Sequence, residues 1–242
     1  MRYAIISDIH GNREALDAVT DALRHDDVGA YVSLGDIVGY GADPAAAVRA
    51  LRALEPAVSI AGNHEWGVLG RLDSGFFNEY ARASIEWTRG ALGASGLEYA
   101  RGLALTGVIG DMTFVHGSLE DPASFNYILN SGDACITIER MGTRLAFVGH
   151  SHVAGIFVAR RGKAARAGTA KVAVRAGMRC LVNAGSVGQP RDGDPRAAYV
   201  IYDSREATVE IRRVPYDIEK ARKKIYDAGL PAYLGDRLRE GV

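Results

Sequence analysis

The chain has 242 residues, of which 48% are hydrophobic and 24% are charged, so it can bury the core of one large domain and is not globally disordered. Lysine plus arginine and aspartate plus glutamate number 29 each, and this zero net charge argues against a stable nucleic-acid complex or a membrane-surface role. No apolar stretch approaches the roughly 20 residues that span a bilayer, and Asp8 interrupts the apolar start too early for a signal peptide, so we expect a cytoplasmic protein.

The first third of the chain alternates short apolar runs with helical patterns. Residues 3–6, 31–34 and 57–62 are predicted to be buried strands. Between them, the apolar spacing predicts two helices, the first capped by Asn12 and the second beginning at Asp43, which a proline follows. Strands that alternate with helices in this way predict an α/β fold with a parallel sheet.

The rest of the chain predicts one helix, then hairpins, then a last helix. Residues 77–92 have a helical pattern that runs into a glycine, and a hairpin is expected to turn at Gly110. The pattern is rich in strands from there to about Arg213. The closing helix is predicted to end at Gly229, because glycine commonly follows the last turn of a helix.

Five of the six histidines come just after a predicted strand, beside a glycine or an acid. They are His10, His64, His116, His150 and His152. Ligands of α/β sheets bind beyond the carboxyl ends of the strands, so we expect these side chains to converge. A lone histidine is most often structural, but five in one setting are hard to explain in that way. Asp8, Asp36 and Asn63 add oxygen donors, and this mixture suits divalent transition metals. The donors outnumber the needs of one ion, which favours two ions that share a carboxylate.

The order of these residues resembles the calcineurin-like metallophosphoesterase superfamily, in its branch of small bacterial and archaeal phosphodiesterases. Five blocks support the resemblance, which are Asp8-x-His10, Gly35-Asp36, Gly62-Asn63-His64-Glu65, His116 and Gly149-His150-x-His152. The resemblance implies an α/β fold, a four-layer α-β-β-α sandwich of two mixed sheets flanked by helices, with a small helical cap. It implies a single domain over 1–242, with cap insertions near 68–103 and 119–142.

The resemblance also implies a site for two divalent metal ions and assigns its ligands. One ion would be held by Asp8, His10 and His152, and the other by Asn63, His116 and His150, with Asp36 as the bridge. The ions would be manganese, iron, zinc or nickel, with manganese favoured. Two ions about 3.5–4 Å apart activate a water molecule and clamp phosphoryl oxygens for in-line displacement.

Two further residues are assigned to the substrate. His64 would not bind a metal but would face the substrate, as a general acid or as a hydrogen-bond donor to phosphoryl oxygens. Glu65 would either orient His64 or lie at the surface. Residues 183–191 resemble an Asn-Pro-Gly-Ser-Val loop with Ala184 in place of the proline, and Arg191 at its end is a candidate contact for a substrate phosphate.

Three features favour a small phosphodiester or nucleotide-type substrate over a phosphoprotein. The Asp-Arg-Gly element of phosphoprotein phosphatases is absent, since no arginine follows Asp36. The insertions are long enough to form a cap, which would leave an alcove instead of an open face. Residues 159–179 contain seven basic residues and no acid. We expect a solvated hairpin there, and the alternative is a basic wall that attracts anions to the site.

Three other functions stay open. The chain could be a phosphomonoesterase, a catalytically silent metal-binding interaction scaffold of the same fold, or a mononuclear hydrolase that acts on amides. The presence of His64 with every ligand argues against the scaffold, and the surplus of ligands argues against a single metal. The expected partner is a small phosphorylated substrate, and neither nucleic acid nor a membrane is expected to bind stably.

Overall fold

The structure is a computed structural model of the chain, and it describes residues 1–160 and 162–242. Within these residues, two six-stranded mixed sheets pack face to face, and helices cover their outer faces. This is the predicted four-layer sandwich. No helix in the described part of the chain is both long enough and apolar enough to cross a membrane.

The strands are short and come in two groups. In chain order they are β1 (Arg2–Ile6), β2 (Val28–Ser33), β3 (Val58–Ser59), β4 (Thr106–Ile109), β5 (Met112–Val115), β6 (Leu145–Val148), β7 (Gly155–Arg160), β8 (Lys163–Arg166), β9 (Lys171–Ala173), β10 (Arg179–Asn183), β11 (Ala197–Asp203) and β12 (Thr208–Val214). The first sheet has the order β3-β2-β1-β11-β12-β9, and the second has the order β4-β5-β6-β10-β7-β8. The parallel pairing of β1, β2 and β3 confirms the prediction for the first third of the chain, and antiparallel β11 makes that sheet mixed.

The helices fill the outer layers and the segments between strands. They are α1 (Arg13–Leu23), α2 (Pro44–Ala53), α3 (Asn63–Val68), α4 (Glu79–Ala91), α5 (Gly93–Arg101), α6 (Ser131–Arg140), α7 (Ile218–Asp227) and α8 (Ala232–Asp236). Short 3₁₀ turns occur at Ser74–Phe76, Pro122–Ser124 and Arg237–Arg239.

Most of the local sequence signals have their expected effect. The Asn12 side chain accepts a hydrogen bond from the Ala15 N–H and so caps α1. The hairpin turns at Gly110, which has a φ of +54°. Asp43 precedes α2 but makes no capping hydrogen bond, because its carboxylate contacts Lys224 instead, at 2.5 Å. The sequence pattern missed α5, which begins directly at the glycine after α4.

The central core lies between the two sheets. Ile5 and Val200 of the first sheet meet Phe114, Phe147 and Val182 of the second sheet, and all five are fully buried. Burying a side chain of this size stabilises the fold by about 1.5–3 kcal/mol. This layer therefore fixes the two sheets against each other, and with them the strand ends that each sheet presents.

The two segments that were predicted as cap insertions have different positions. In segment 68–103, α4 and α5 pack beside α2 and α3 on the helical layer of the first sheet. In segment 119–142, α6 packs instead on the outer face of β7, β8 and β10. Residues 76–78 and 124–127 of these segments line a cleft beside the histidines. A cap over the site therefore remains a prediction, and it would consist of these residues.

The basic residues near the end of β7 lie away from the histidines. Gly155 pairs with Asn183 at the end of the second sheet that the histidines follow, whereas Arg160 pairs with Lys163 at the opposite end. Five strand steps separate Gly155 from Arg160, roughly 16 Å. The register therefore places Arg160 and Lys163 away from the site. Arg166 differs, because its guanidinium donates to the carbonyl of Ala154, at the end of β7 nearer the histidines.

Candidate metal centre

The residues predicted to bind metal follow strands of both sheets and meet at one edge. Asp8 follows β1, Asp36 follows β2, Asn63 begins α3 just after β3, and His116 follows β5. The histidines at positions 150 and 152 follow β6. Every one of these side chains is at most 5% exposed. The fold therefore brings together residues that lie up to 144 positions apart.

Two groups of donor atoms form at this edge, and they share Asp36. The first contains Asp8, His10, Asp36 and His152, and the second contains Asp36, His116 and His150. In the first group, His152 Nε2 is 3.2 Å from Asp8 Oδ1 and 3.1 Å from His10 Nε2. In the second, His116 Nε2 is 3.3 Å from Asp36 Oδ2. Ligand atoms about 2.1 Å from one ion stand roughly 3.0–3.4 Å apart, so these spacings fit metal coordination.

Several of these donors have no other partner. Asp8 Oδ1, Asn63 Oδ1, His116 Nε2 and His150 Nε2 are buried and make no hydrogen bond within residues 1–160 and 162–242. A buried polar atom left without a partner costs about 1–3 kcal/mol. Four such atoms at one edge fit bound cations, which would supply the missing partners.

Hydrogen bonds to the backbone orient three of the histidines. The Nδ1 atoms of His10, His116 and His152 lie 3.0, 2.7 and 2.6 Å from the carbonyl oxygens of Val38, Leu34 and Gln189, respectively. A carbonyl oxygen only accepts, so each Nδ1 must donate. The lone pair is then on Nε2, the atom that faces the other donors.

Each carboxylate is held by one oxygen, which leaves the second oxygen for a metal. Asp8 Oδ2 accepts hydrogen bonds from the Ser7 hydroxyl at 2.5 Å and from the His150 N–H at 3.1 Å. Asp36 Oδ1 accepts one from the His64 N–H at 2.9 Å. The remaining oxygens, Asp8 Oδ1 and Asp36 Oδ2, are the ones nearest the histidine Nε2 atoms.

The charges of four proposed ligands agree with this arrangement. Burial opposes ionisation of Asp8 and Asp36, but the neighbouring histidines, chiefly His152 and His116, lower the pKa of both carboxyl groups below the usual value. Burial lowers the pKa of His150 to about 3 and that of His152 to about 4. The aspartates are therefore carboxylates at neutral pH, and these two imidazoles are neutral, which are the forms that bind metal. His116 differs, because Asp36 and Asp8 outweigh burial and raise its pKa to about 9, so a metal ion would have to displace a proton from that ring.

Five residues of the site have a strained backbone. Asp8, His10, Asp36, His150 and His152 have φ angles between +49° and +66°. Such left-handed conformations cost roughly 1–3 kcal/mol each outside glycine, and they concentrate where function requires a particular side-chain direction. The sharp turns after β1, β2 and β6 thus aim these side chains at one point.

Glu65 holds the backbone of the loop that carries Asp36. It is 1% exposed and does not orient His64 through its side chain, so both expectations for it were wrong. Its carboxylate accepts four backbone N–H bonds, from Asp36, Ile37, Val38 and Gly62, at 2.8–3.2 Å. Burial and the charge of Asp36 raise the pKa of Glu65 to about 7. Glu65 therefore fixes the loop that presents Asp36.

His64 lies beside the donor groups without belonging to either. Its ring centroid is 4.5 Å from that of Tyr40 and 4.7 Å from that of His10. Burial lowers the pKa of His64 well below the usual value, so the imidazole is neutral at pH 7. A neutral ring can donate one hydrogen bond, and an approaching phosphate anion would favour its protonation. Gly39, with a φ of +85°, passes so close to His64 Nδ1 that a Cβ there would collide with the ring.

Arg191 borders the same space. Its guanidinium carbon lies 5.5 Å from the centre of the Tyr40 ring, and its Nη2 donates to Gln189 Oε1 at 2.7 Å. Its backbone N–H donates to the carbonyl of His152, which fixes the loop at the site. Arg191 forms no ion pair with an acid in the described part of the chain. The sequence pattern identified Arg191 but missed Tyr40.

A sequence profile of the calcineurin-like phosphoesterase superfamily domain matches residues 1–207. The chain belongs to the calcineurin-like phosphoesterase superfamily. The family is consistent with the buried aspartate and histidine groups, which can bind divalent metal.

Relatives of similar length support the assignment. An uncharacterised protein of Methanocaldococcus jannaschii is 38% identical over 239 residues, which are 97% of this chain and 96% of the relative. The crystal structure of a metallophosphoesterase from Sphaerobacter thermophilus is 39% identical, covers 100% of this chain and 99% of its own, and has a TM-score of 0.88. A hypothetical protein of Pyrococcus horikoshii has the same fold at 20% identity, with a TM-score of 0.81 over 100% of this chain and 98% of its own.

Proposed function

We propose that this chain is a binuclear metal-dependent phosphoesterase that hydrolyses small phosphodiester or nucleotide-type substrates. The observation that supports it best is the sharing of Asp36 by two groups of buried donor atoms. One carboxylate between two such groups is the arrangement that a two-metal site requires.

The proposed ligands follow from the two groups and from the buried donors without partners. They are Asp8, His10 and His152 for one ion, Asn63, His116 and His150 for the other, and Asp36 for both. Carboxylate and carbonyl oxygens beside imidazoles suit manganese, which stays the favoured ion over iron, zinc and nickel. When bound, two divalent ions would lower the pKa of a water molecule and offset the charge of the phosphoryl oxygens.

The side chains around the centre would complete the reaction. His64 would donate a hydrogen bond to a phosphoryl oxygen or a proton to the leaving oxygen. Arg191 has a guanidinium group free of acidic partners among the described residues, and it would bind a non-reacting phosphate oxygen. Gly39 lets the His64 ring take its position, because any side chain there would displace it.

The surroundings of the centre favour a small substrate. The loop after Asp36 has no arginine and lacks the Asp-Arg-Gly element of phosphoprotein phosphatases. A cleft of about 290 Å³ adjoins Asn63, and it is narrow enough to hold part of a small molecule. A folded phosphoprotein would need an open face at this position.

Comparative kinetics with added manganese test the proposal. The substrates are bis-nitrophenyl phosphate, nitrophenyl phosphate and a phosphopeptide, and we expect the diester to have the highest kcat/KM. His64→Gln should lower kcat by about 10²–10⁴-fold while the metals stay bound, as is usual for removal of a general acid. The loss should shrink for nitrophenolate, which needs no proton to leave. His25→Gln is the matched control, since His25 is exposed in the turn that follows α1.

Each alternative function has its own signature in these measurements. Preference for the phosphopeptide would contradict the substrate class, and preference for nitrophenyl phosphate would indicate a phosphomonoesterase. Full metal content with no turnover of any ester would indicate the silent scaffold. Full activity of the His64→Gln variant would remove His64 from the mechanism.

A further inference from the structure

An aromatic cleft opens directly beside the proposed metal centre. It has a volume of about 290 Å³ and reaches the side chain of Asn63. Its aromatic lining consists of Tyr40, Phe76, Phe77, Phe125 and Tyr127. Neither the donor groups nor the proposed role of His64 accounts for five aromatic rings at this place.

One wall of the cleft comes from the segment before α4. Phe77 is 9% exposed, and its ring centroid lies 5.7 Å from that of His64. Phe76 lies against it, with a centroid distance of 5.1 Å, but remains 45% exposed. Phe77 is thus packed in the core, whereas the ring of Phe76 is accessible to a ligand in the cleft.

The opposite wall is held in a strained conformation. Phe125 has a φ of +49°, is 1% exposed, and packs edge-on against Trp66 with the ring centroids 5.4 Å apart. The backbone carbonyl of Asn126 accepts a hydrogen bond from the Ser118 N–H at 3.1 Å. Bulky residues rarely adopt a left-handed backbone unless the surroundings impose it, so this wall is a built feature of the fold.

Tyr127 connects this wall to the metal centre. Its ring stacks on that of His150, with 3.9 Å between the centroids and 13° between the planes. The residue is nevertheless 50% exposed. A planar group in the cleft would therefore lie near Tyr127 and the proposed metal ligand His150.

We infer that this aromatic cleft binds the nucleobase of a nucleotide substrate whose phosphate lies at the metal centre, an inference that rests on the proposed function. Exposed aromatic rings stack on any nucleobase, because every base has a π face. The Asn126 amide lines the same cleft and makes no side-chain hydrogen bond elsewhere in the described chain, so it can donate to or accept from a base edge. The volume of about 290 Å³ is sufficient for one base.

A pair of ligands that differ only by the base tests the inference without turnover. They are the non-hydrolysable phosphonate analogues of AMP and of ribose 5-phosphate, titrated by calorimetry into the manganese-loaded protein. The AMP analogue should bind about 5- to 160-fold more tightly, the range expected for one stacked base. Phe76→Leu should remove most of that difference and leave the affinity for the ribose analogue unchanged.

Control variants distinguish stacking on an aromatic ring from simple filling of the cleft by a side chain. Phe76→Tyr keeps a flat ring and should keep the preference, whereas Phe76→Leu keeps the bulk and loses the ring. Tyr226→Ala removes an exposed aromatic side chain on α7, outside the cleft, and should change neither affinity.

The outcomes distinguish the cleft from the reaction. Equal affinity for the two analogues, or absence of binding of both, would overturn the nucleobase site even if model esters are hydrolysed. Equal weakening of both analogues by Phe76→Leu would overturn it too, because Phe76 would then shape only the phosphate site. A base preference without any ester hydrolysis would leave the cleft standing and overturn the proposed function.

Discussion

Replacing Glu65 by glutamine removes one carboxylate oxygen from the network that holds the Asp36 loop. Oε1 accepts from the N–H groups of Ile37 and Val38, and Oε2 accepts from those of Asp36 and Gly62. Glutamine keeps one oxygen, and its amide nitrogen would face two N–H donors. The variant therefore loses two hydrogen bonds to a buried acceptor and gains no replacement.

The size of the effect follows from these two bonds. A hydrogen bond to a charged group contributes about 1.5–3 kcal/mol. Burial and the charge of Asp36 raise the pKa of Glu65 to about 7, which reduces the benefit of the charge, so we take the lower end, about 3 kcal/mol for the pair. For a chain of this size, each kcal/mol shifts the Tm by about 2–4 °C, which gives a decrease of roughly 6–12 °C.

Thermal unfolding followed by circular dichroism measures this decrease, and elemental analysis measures the metal content of the same samples. Glu65→Gln should also retain less metal, because the Asp36 loop loses its support. Glu86→Gln is the control, since Glu86 is exposed on α4 and should leave both quantities unchanged. A Tm of Glu65→Gln within about 1 °C of the parent, with full metal content, would refute the organising role.

Three further outcomes are expected. The protein should hold about two divalent ions per chain, and Asp36→Ala should lower that number, so an unchanged metal content in Asp36→Ala would exclude the bridge. Gly39→Ala should displace the His64 ring while the metals stay bound, and the loss of kcat relative to the parent should be largest for esters with poor leaving groups. The same fractional loss of kcat for all esters would contradict this placement of His64. Burial raises the pKa of Cys180 to about 11, so its thiolate forms only as the pH rises toward 11. A thiol reagent at pH 8 should therefore modify the partly exposed Cys135 first, and equal rates for both thiols would be inconsistent with the burial.

The convergence of the ligands within each sheet could be predicted because it depends on the direction of the strands. Asp8, Asp36 and His116 each follow a strand, and the parallel strands of a sheet end at the same edge. The identity and order of the side chains then indicated metal chemistry. The helix cap at Asn12 and the turn at Gly110 were predictable for a similar reason, since each depends on a few neighbouring residues.

The missed features depend on contacts between distant segments. Glu65 bonds to backbone N–H groups 27–29 positions earlier, and no property of those residue types reveals it. The aromatic cleft joins Phe76 to Tyr127 across 51 positions. α5 was missed because its first residue, Gly93, has a low helix propensity and resembled an end instead of a beginning.

The two sheets contribute separate halves of the candidate metal centre. Asp8, His10 and Asp36 come from loops of the first sheet, whereas His116 and His152 come from loops of the second. Each group of donor atoms contains residues of both sheets, so an ion bound by either group would also tie the two layers of the sandwich together. Ions of this kind act as removable cross-links: they stabilise the folded chain by RT ln(1 + [M]/Kd), about 2.7 kcal/mol at 100 times Kd. The resistance of the chain to unfolding would then rise with the free metal concentration, and a chelator would loosen the packing between the sheets first at the edge that carries the donor groups.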